Sequence, residues 1–147
     1  MKQKPNFIDV NIIYHRENKM TISKRDMKIL INAQQGELDV VLMYQALYKV
    51  VKDRNEAATF RKLAAEEGHH AAVFHKLTQE NLKPKKTLAF FMPILYKLIG
   101  KKRLYPKIAK GEYKASENYA PVAEKFPEIV SVKDDEKRHG DIVASLL

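Results

Sequence analysis

Apolar residues recur at spacings of three and four along four stretches of the chain, the period of a helix with one buried face. The first stripe runs Leu30, Ala33, Val40/Val41, Tyr44, Leu47/Tyr48, Val51, and the second runs Phe60, Leu63, Ala71, Phe74, Leu77. The third is Leu104/Tyr105, Ile108, Ala115, Tyr119, Val122, Phe126, and the fourth Ile129, Val132, Val143, Leu146. Ser23, three residues before Asp26, resembles a capping arrangement and predicts the start of a first helix of about thirty residues, ending at Asp53. Asn55 reads as the N-cap of the second, with Glu56 in its first turn to suit the helix dipole. The short Lys52–Asn55 connection makes these two helices antiparallel neighbours. The second ends near Asn81, before Lys83-Pro84. The third spans about Lys101 to Lys125, with Pro106 near its beginning and Pro121 able to kink it. Phe126-Pro127 turns the chain into the fourth. The long connection between the second and third contains the apolar run Leu88–Leu95, interrupted by Pro93. The pattern predicts an all-α domain over residues 23–147, a four-helix up-down bundle with one long crossover. Residues 1–22 fall outside it as an N-terminal arm or tail. There Ile8-Asp9-Val10-Asn11-Ile12 alternates like a short extended segment, which could pack on a second subunit, and His15 is expected in solvent.

Each stripe is broken by charge. Glu37 interrupts the first, Glu67 and His70 the second, Glu112 the third, and Glu136 and His139 the fourth. An ionised glutamate on a buried face costs several kcal/mol unless its charge is compensated. A metal ion compensates it, since carboxylate and neutral imidazole are both good ligands. One Glu-x-x-His would mean little, but the order Glu, Glu-x-x-His, Glu, Glu-x-x-His is the ligand set of a di-iron or di-manganese carboxylate bundle. The halves also repeat: Gly36-Glu37 is followed by Tyr44 seven residues after the glutamate, and Gly111-Glu112 by Tyr119 at the same interval. Tyr44 and Tyr119 are candidates to support the ligands, or are core aromatics. A competing pair, Glu66 and His69, falls on the flank of the second helix in line with Lys62 and Val73. Phase therefore selects Glu67 and His70. His75 is expected at the surface. Four carboxylates would balance the charge of two divalent ions in a dry interior.

The stretches Gly36-Glu37 with Tyr44, Leu63–Ala71, Gly111-Glu112 with Tyr119, and Asp134–His139 resemble the rubrerythrin-like branch of the ferritin-like superfamily, over about residues 24–147. The resemblance implies a ferritin-like bundle holding two iron ions, with manganese or a mixed pair as alternatives. It further implies that Glu67 and Glu136 bridge or chelate the metals while His70 and His139 each cap one, and that the centre reacts with peroxide or dioxygen. Two departures stand out. The chain has no cysteine, so it lacks the rubredoxin-type iron–thiolate domain, and electrons would come from a separate donor protein. Ala115 occupies the position, one turn after Glu112, where rubrerythrins carry a further glutamate. A di-iron oxidoreductase is the expected function. The alternatives are a ferroxidase handling Fe(II) and a membrane-associated hydroxylase resembling demethoxyubiquinone hydroxylase.

Charge adds one more feature. The chain carries 27 basic and 18 acidic residues, a net charge of +9. Residues 81–111 hold nine of the basic side chains and no acidic one, so the remainder is balanced. This segment reads as a crossover with a short packed helix and solvated lysines, or as a surface meeting an anionic membrane or protein partner. Leu88–Leu95 is too short to cross a bilayer, and no nucleic-acid motif accompanies the charge. The absence of cysteine and of a signal-like apolar run near Met1 leads to the expectation of a cytoplasmic protein, and a homodimer is the expected assembly.

Overall fold

The computed structural model describes residues 21–147, and most of the expected N-terminal arm, with Ile8–Ile12 and His15, lies outside them. The described residues form five helices and no strand: α1 (Lys24–Tyr48), α2 (Arg54–Thr78), α3 (Thr87–Ile99), α4 (Lys101–Ala123) and α5 (Glu128–Ser145). The four long ones make the bundle, and α3 lies within the crossover.

Ser23 caps α1 by accepting from the backbone N–H of Asp26 at 3.1 Å. The helix closes at Tyr48, short of Asp53, because the N–H groups of Val50 and Val51 both turn back to the Leu47 carbonyl at 3.0 Å. The next helix is capped by Asp53, not Asn55: the Asp53 carboxylate accepts from the N–H of Asn55 at 2.8 Å and of Glu56 at 2.9 Å. One carboxylate thus satisfies two of the first-turn donors that would otherwise lack a partner. At its other end α2 stops at Thr78, a turn before the expected Asn81, where Gln79 adopts a left-handed φ of 58°. Gly100, at φ 71°, makes the sharp corner between α3 and α4, a conformation that glycine adopts without a Cβ clash. Pro121 is accommodated inside α4.

The long helices pair as two antiparallel hairpins. Gln34 of α1 donates to the Glu80 carbonyl beyond the end of α2, while Ser116 of α4 donates to the Lys133 carbonyl of α5. Burial divides into two apolar clusters. One is built around Tyr44, Leu47, Phe60, Leu63, Tyr105 and Ile108, the other around Leu30, Phe74, Tyr119, Val122, Ile129 and Val132. On every long helix the charged interruptions fall between these clusters. The apolar ends therefore clamp a polar slab across the middle of the bundle.

A candidate metal centre between the helix pairs

All six ionisable residues singled out by phase are buried: Glu37, Glu67, His70, Glu112, Glu136 and His139. Four of them, Glu67, His70, Glu136 and His139, offer ligand atoms within 4.8 Å of one another. Both imidazoles point Nδ1 into the slab. His70 Nδ1 lies 2.9 Å from Glu136 Oε1, 3.1 Å from Glu67 Oε2 and 3.6 Å from Glu37 Oε2. His139 Nδ1 lies 2.9 Å from Glu67 Oε1, and the two rings stack with centroids 5.3 Å apart. Glu112 enters from α4 as the hydrogen-bond partner of the Tyr44 hydroxyl, and Glu37 likewise accepts from the Tyr119 hydroxyl. Each tyrosine therefore serves the glutamate of the other half rather than the one seven residues before it in its own helix.

Such a site has more acceptors than donors. A single Nδ1–H cannot satisfy the three carboxylates around His70. Glu136 Oε1 is buried and accepts no well-aligned hydrogen bond, even though His70 Nδ1 stands 2.9 Å away. Burial and the neighbouring Glu136 charge push the Glu112 carboxyl up to about 8, and burial together with Glu37 and Glu67 pushes Glu136 up to about 7. Glu67 is raised well above the usual range, by burial first and by its carboxylate neighbours. Burial would lower the His70 pKa, but its contacts with Glu136, Glu37 and Glu67 outweigh it and raise the value. The raised carboxyl values reflect like charges buried close together, whose compensation by the surrounding donors is incomplete. Divalent cations would supply that compensation, and oxygen and imidazole donors suit iron, manganese or zinc. The residues fit a metal site, with Glu67, His70, Glu136 and His139 as its closest-set ligand group.

An outer ring fixes the imidazoles, and phase alone missed it. His139 Nε2 meets Glu66 Oε2 at 2.7 Å, and His70 Nε2 meets Asp135 Oδ2 at 3.2 Å. Arg138 ties the ring together, donating from Nη2 to Glu66 and to Asp135, each at 2.8 Å. The Glu66–His69 pair expected on the flank therefore separates: His69 is exposed, whereas Glu66 is half-buried against the histidine of α5. A signal was present in the sequence. An acidic residue directly precedes the glutamate of each Glu-x-x-His, as Glu66-Glu67 and as Asp135-Glu136. His75 stays half-buried away from the centre, its Nδ1 3.0 Å from the Glu80 carbonyl.

A cavity of about 240 Å³ leads to the carboxylates between α1, α3 and α4. Glu37, Glu112 and Glu136 stand at its inner end, Leu88 and Met92 of α3 along its wall, and the exposed Lys107 at its edge. Gly36 and Gly111 also line it, and a Cβ at either position would meet no atom within 4 Å. The glycine before each single glutamate ligand candidate thus keeps open space beside the site.

No curated protein and no solved structure matches the chain. A family model for rubrerythrin does match, over residues 28–147, a span that takes in all five helices except the first turn of α1. With that match and a buried carboxylate–histidine cluster suited to metal, the chain belongs to the rubrerythrin family.

Proposed function

We propose that this protein is a di-iron oxidoreductase that reduces peroxide or dioxygen, with electrons from a separate donor protein. The observation that carries the reading is the donor set itself: two inward Nδ1 atoms among four buried carboxylates, one with an oxygen left unsatisfied. Glu37, Glu67, His70, Glu112, Glu136 and His139 would hold the two iron ions. When bound in the ferrous state, the pair supplies the two electrons that, with two protons, convert hydrogen peroxide to two waters. The chain's own groups do the rest. Glu66 and Asp135 hold the outer nitrogens of His139 and His70, so both imidazoles keep Nδ1 free for metal. Tyr44 and Tyr119 fix one oxygen each of Glu112 and Glu37 by hydroxyl donation. Burial keeps both phenol protons in place, raising each pKa well above its usual value with help from the nearby carboxylates.

The cavity suits a small oxidant as an entering molecule. It is small and largely apolar, and its charged lining residues are Glu37, Glu112, Glu136 and Lys107, a size and lining that admit dioxygen or neutral peroxide. One observation supports a second reading, oxidation of Fe(II) for iron handling. Ala115 lines the same cavity without the further carboxylate found in rubrerythrins. The test mixes anaerobic protein, loaded with two Fe(II) per chain, separately with hydrogen peroxide and with dioxygen. Oxidation faster with peroxide, reversible on reduction and without mineral growth, is the expected outcome. Turnover of added Fe(II) far beyond the loaded pair would replace it with the iron-handling reading. A one-metal stoichiometry unaffected by Glu37→Ala or Glu112→Ala would sink the dinuclear centre altogether.

A further inference from the structure

Among the described residues, the crossover helix α3 has one face that the bundle uses and one that it does not. Leu88, Met92, Tyr96 and Ile99 rest against the core cluster, yet no residue of α3 is fully buried. The opposite face presents Phe90 (64% exposed), Phe91 (53%), Ile94 (41%), Leu95 (36%) and Leu98 (74%). Five large apolar side chains at such exposures leave a patch on the order of 500 Å², at the upper end of what monomeric proteins tolerate without a use for it. The sequence flanking it is basic. Lys83, Lys85 and Lys86 precede the helix, Lys97 lies on it, and Lys102 and Arg103 follow. No acidic residue occurs anywhere from 81 to 111.

We propose that the outer face of α3 docks on the surface of an anionic lipid bilayer. The aromatic and leucine side chains would enter the headgroup boundary while the lysines and arginine at both ends meet lipid phosphates. This is the composition of a helix that lies in an interface: apolar on one side, basic at its margins, without acidic residues to be repelled. It lies on the membrane and does not cross it. The helix has 13 residues, about 20 Å at helical rise, against a hydrocarbon core of about 30 Å. Among the described residues no helix is long and apolar enough to span. A second copy of the chain is the weaker occupant. Two such patches face to face would bury on the order of 1,000 Å², below the ~1,200–2,000 Å² of a stable interface, and would bring two basic clusters together.

The test is sedimentation of the full chain with vesicles of phosphatidylcholine alone and of phosphatidylcholine containing about one-third phosphatidylglycerol. Binding to the anionic vesicles is expected, with neutral vesicles at least about tenfold weaker, and raising the salt should release the protein. Lys102→Gln with Arg103→Gln should weaken binding about 25-fold, at about fivefold for each basic group near the surface. Phe90→Gln with Leu98→Gln should abolish it. Both pairs are exposed, so helicity and metal content should stay those of the parent protein. Equal binding to both vesicle types, or none, overturns the proposal. So does a concentration-dependent dimer that the Phe90/Leu98 variant disperses without any vesicle binding, since that result assigns the face to a second copy.

Discussion

Replacing Glu66 by alanine removes the acceptor of the shorter of the two outer hydrogen bonds, that from His139 Nε2 at 2.7 Å, and one of the two carboxylates on Arg138. Nothing on the inner side of His139 changes. The loss is one of orientation and basicity: the ring can swing, and its Nδ1 becomes a poorer donor to metal. Losing such a partner typically lowers metal affinity ~10–100-fold, equivalent to ~1.4–2.7 kcal/mol. Glu66 is a quarter exposed, so water can replace part of the acceptor, and the lower half of that range is expected. Asp135→Ala should cost less, because its contact with His70 is longer, at 3.2 Å, and its side chain is 39% exposed. Glu66→Gln, which keeps an acceptor oxygen but not the charge, should fall between Glu66→Ala and the parent. His69→Ala, on the exposed neighbour, should change nothing, while Glu67→Ala or His70→Ala should empty the site. Anaerobic competition against a chelator of known affinity, with Fe(II) or Co(II), measures the series. An unchanged affinity in Glu66→Ala, or a larger loss in His69→Ala, would refute the reasoning.

Three further outcomes are expected. Gly111→Leu extends a side chain into the cavity beside Glu112, so it should slow reaction with oxidant while leaving two metals per chain by elemental analysis; equal slowing of metal loading would count against the cavity as the oxidant's route. Gly140→Ala places a methyl 2.4 Å from the Tyr113 ring, so overpacking of about 1–3 kcal/mol should outweigh the ~1 kcal/mol of helix propensity gained. Thermal unfolding should show that loss, and in a Tyr113→Ser background the same substitution should instead stabilise. Asp26 is held below its ordinary value of 3.8 by its hydrogen bonds from Lys125 and Ser23, so its contribution is present above that pH and lost as pH falls through the depressed value. Denaturant curves of Asp26→Asn should accordingly lie below the parent at pH 6 and converge with it in acid.

Why some of this was legible in the sequence and some was not follows from the range of each interaction. Helix phase is a local property: a side chain at the spacing of Phe60, Leu63 and Phe74 must share their face, so Glu67 and His70 were separable from Glu66 and His69 without coordinates. Helix ends depend on competition between neighbours for a few backbone groups. Asn55 and Asp53 are both good caps, and only the carboxylate of Asp53 reaches two N–H groups at once. The close of α1 at Tyr48 had no sequence signal at all, since Val50 and Val51 continue the apolar stripe while their N–H groups have already turned back to Leu47. The outer bonds to the histidines and those of the tyrosines belong to a third class, in which each bond crosses between helices that are distant in sequence. Tyr44 reaches Glu112, Tyr119 reaches Glu37, Glu66 reaches His139 and Asp135 reaches His70. Periodicity is a property of each helix alone and does not register such exchanges. The internal repeat can, because equivalent residues in two halves that exchange partners must be read as pairs. The exchange also has a consequence for folding. Neither half can satisfy the outer nitrogen of its own histidine, so α2 and α5 acquire oriented imidazoles only by meeting each other. Metal binding at the proposed centre would therefore be coupled to the closure of the two hairpins into one bundle.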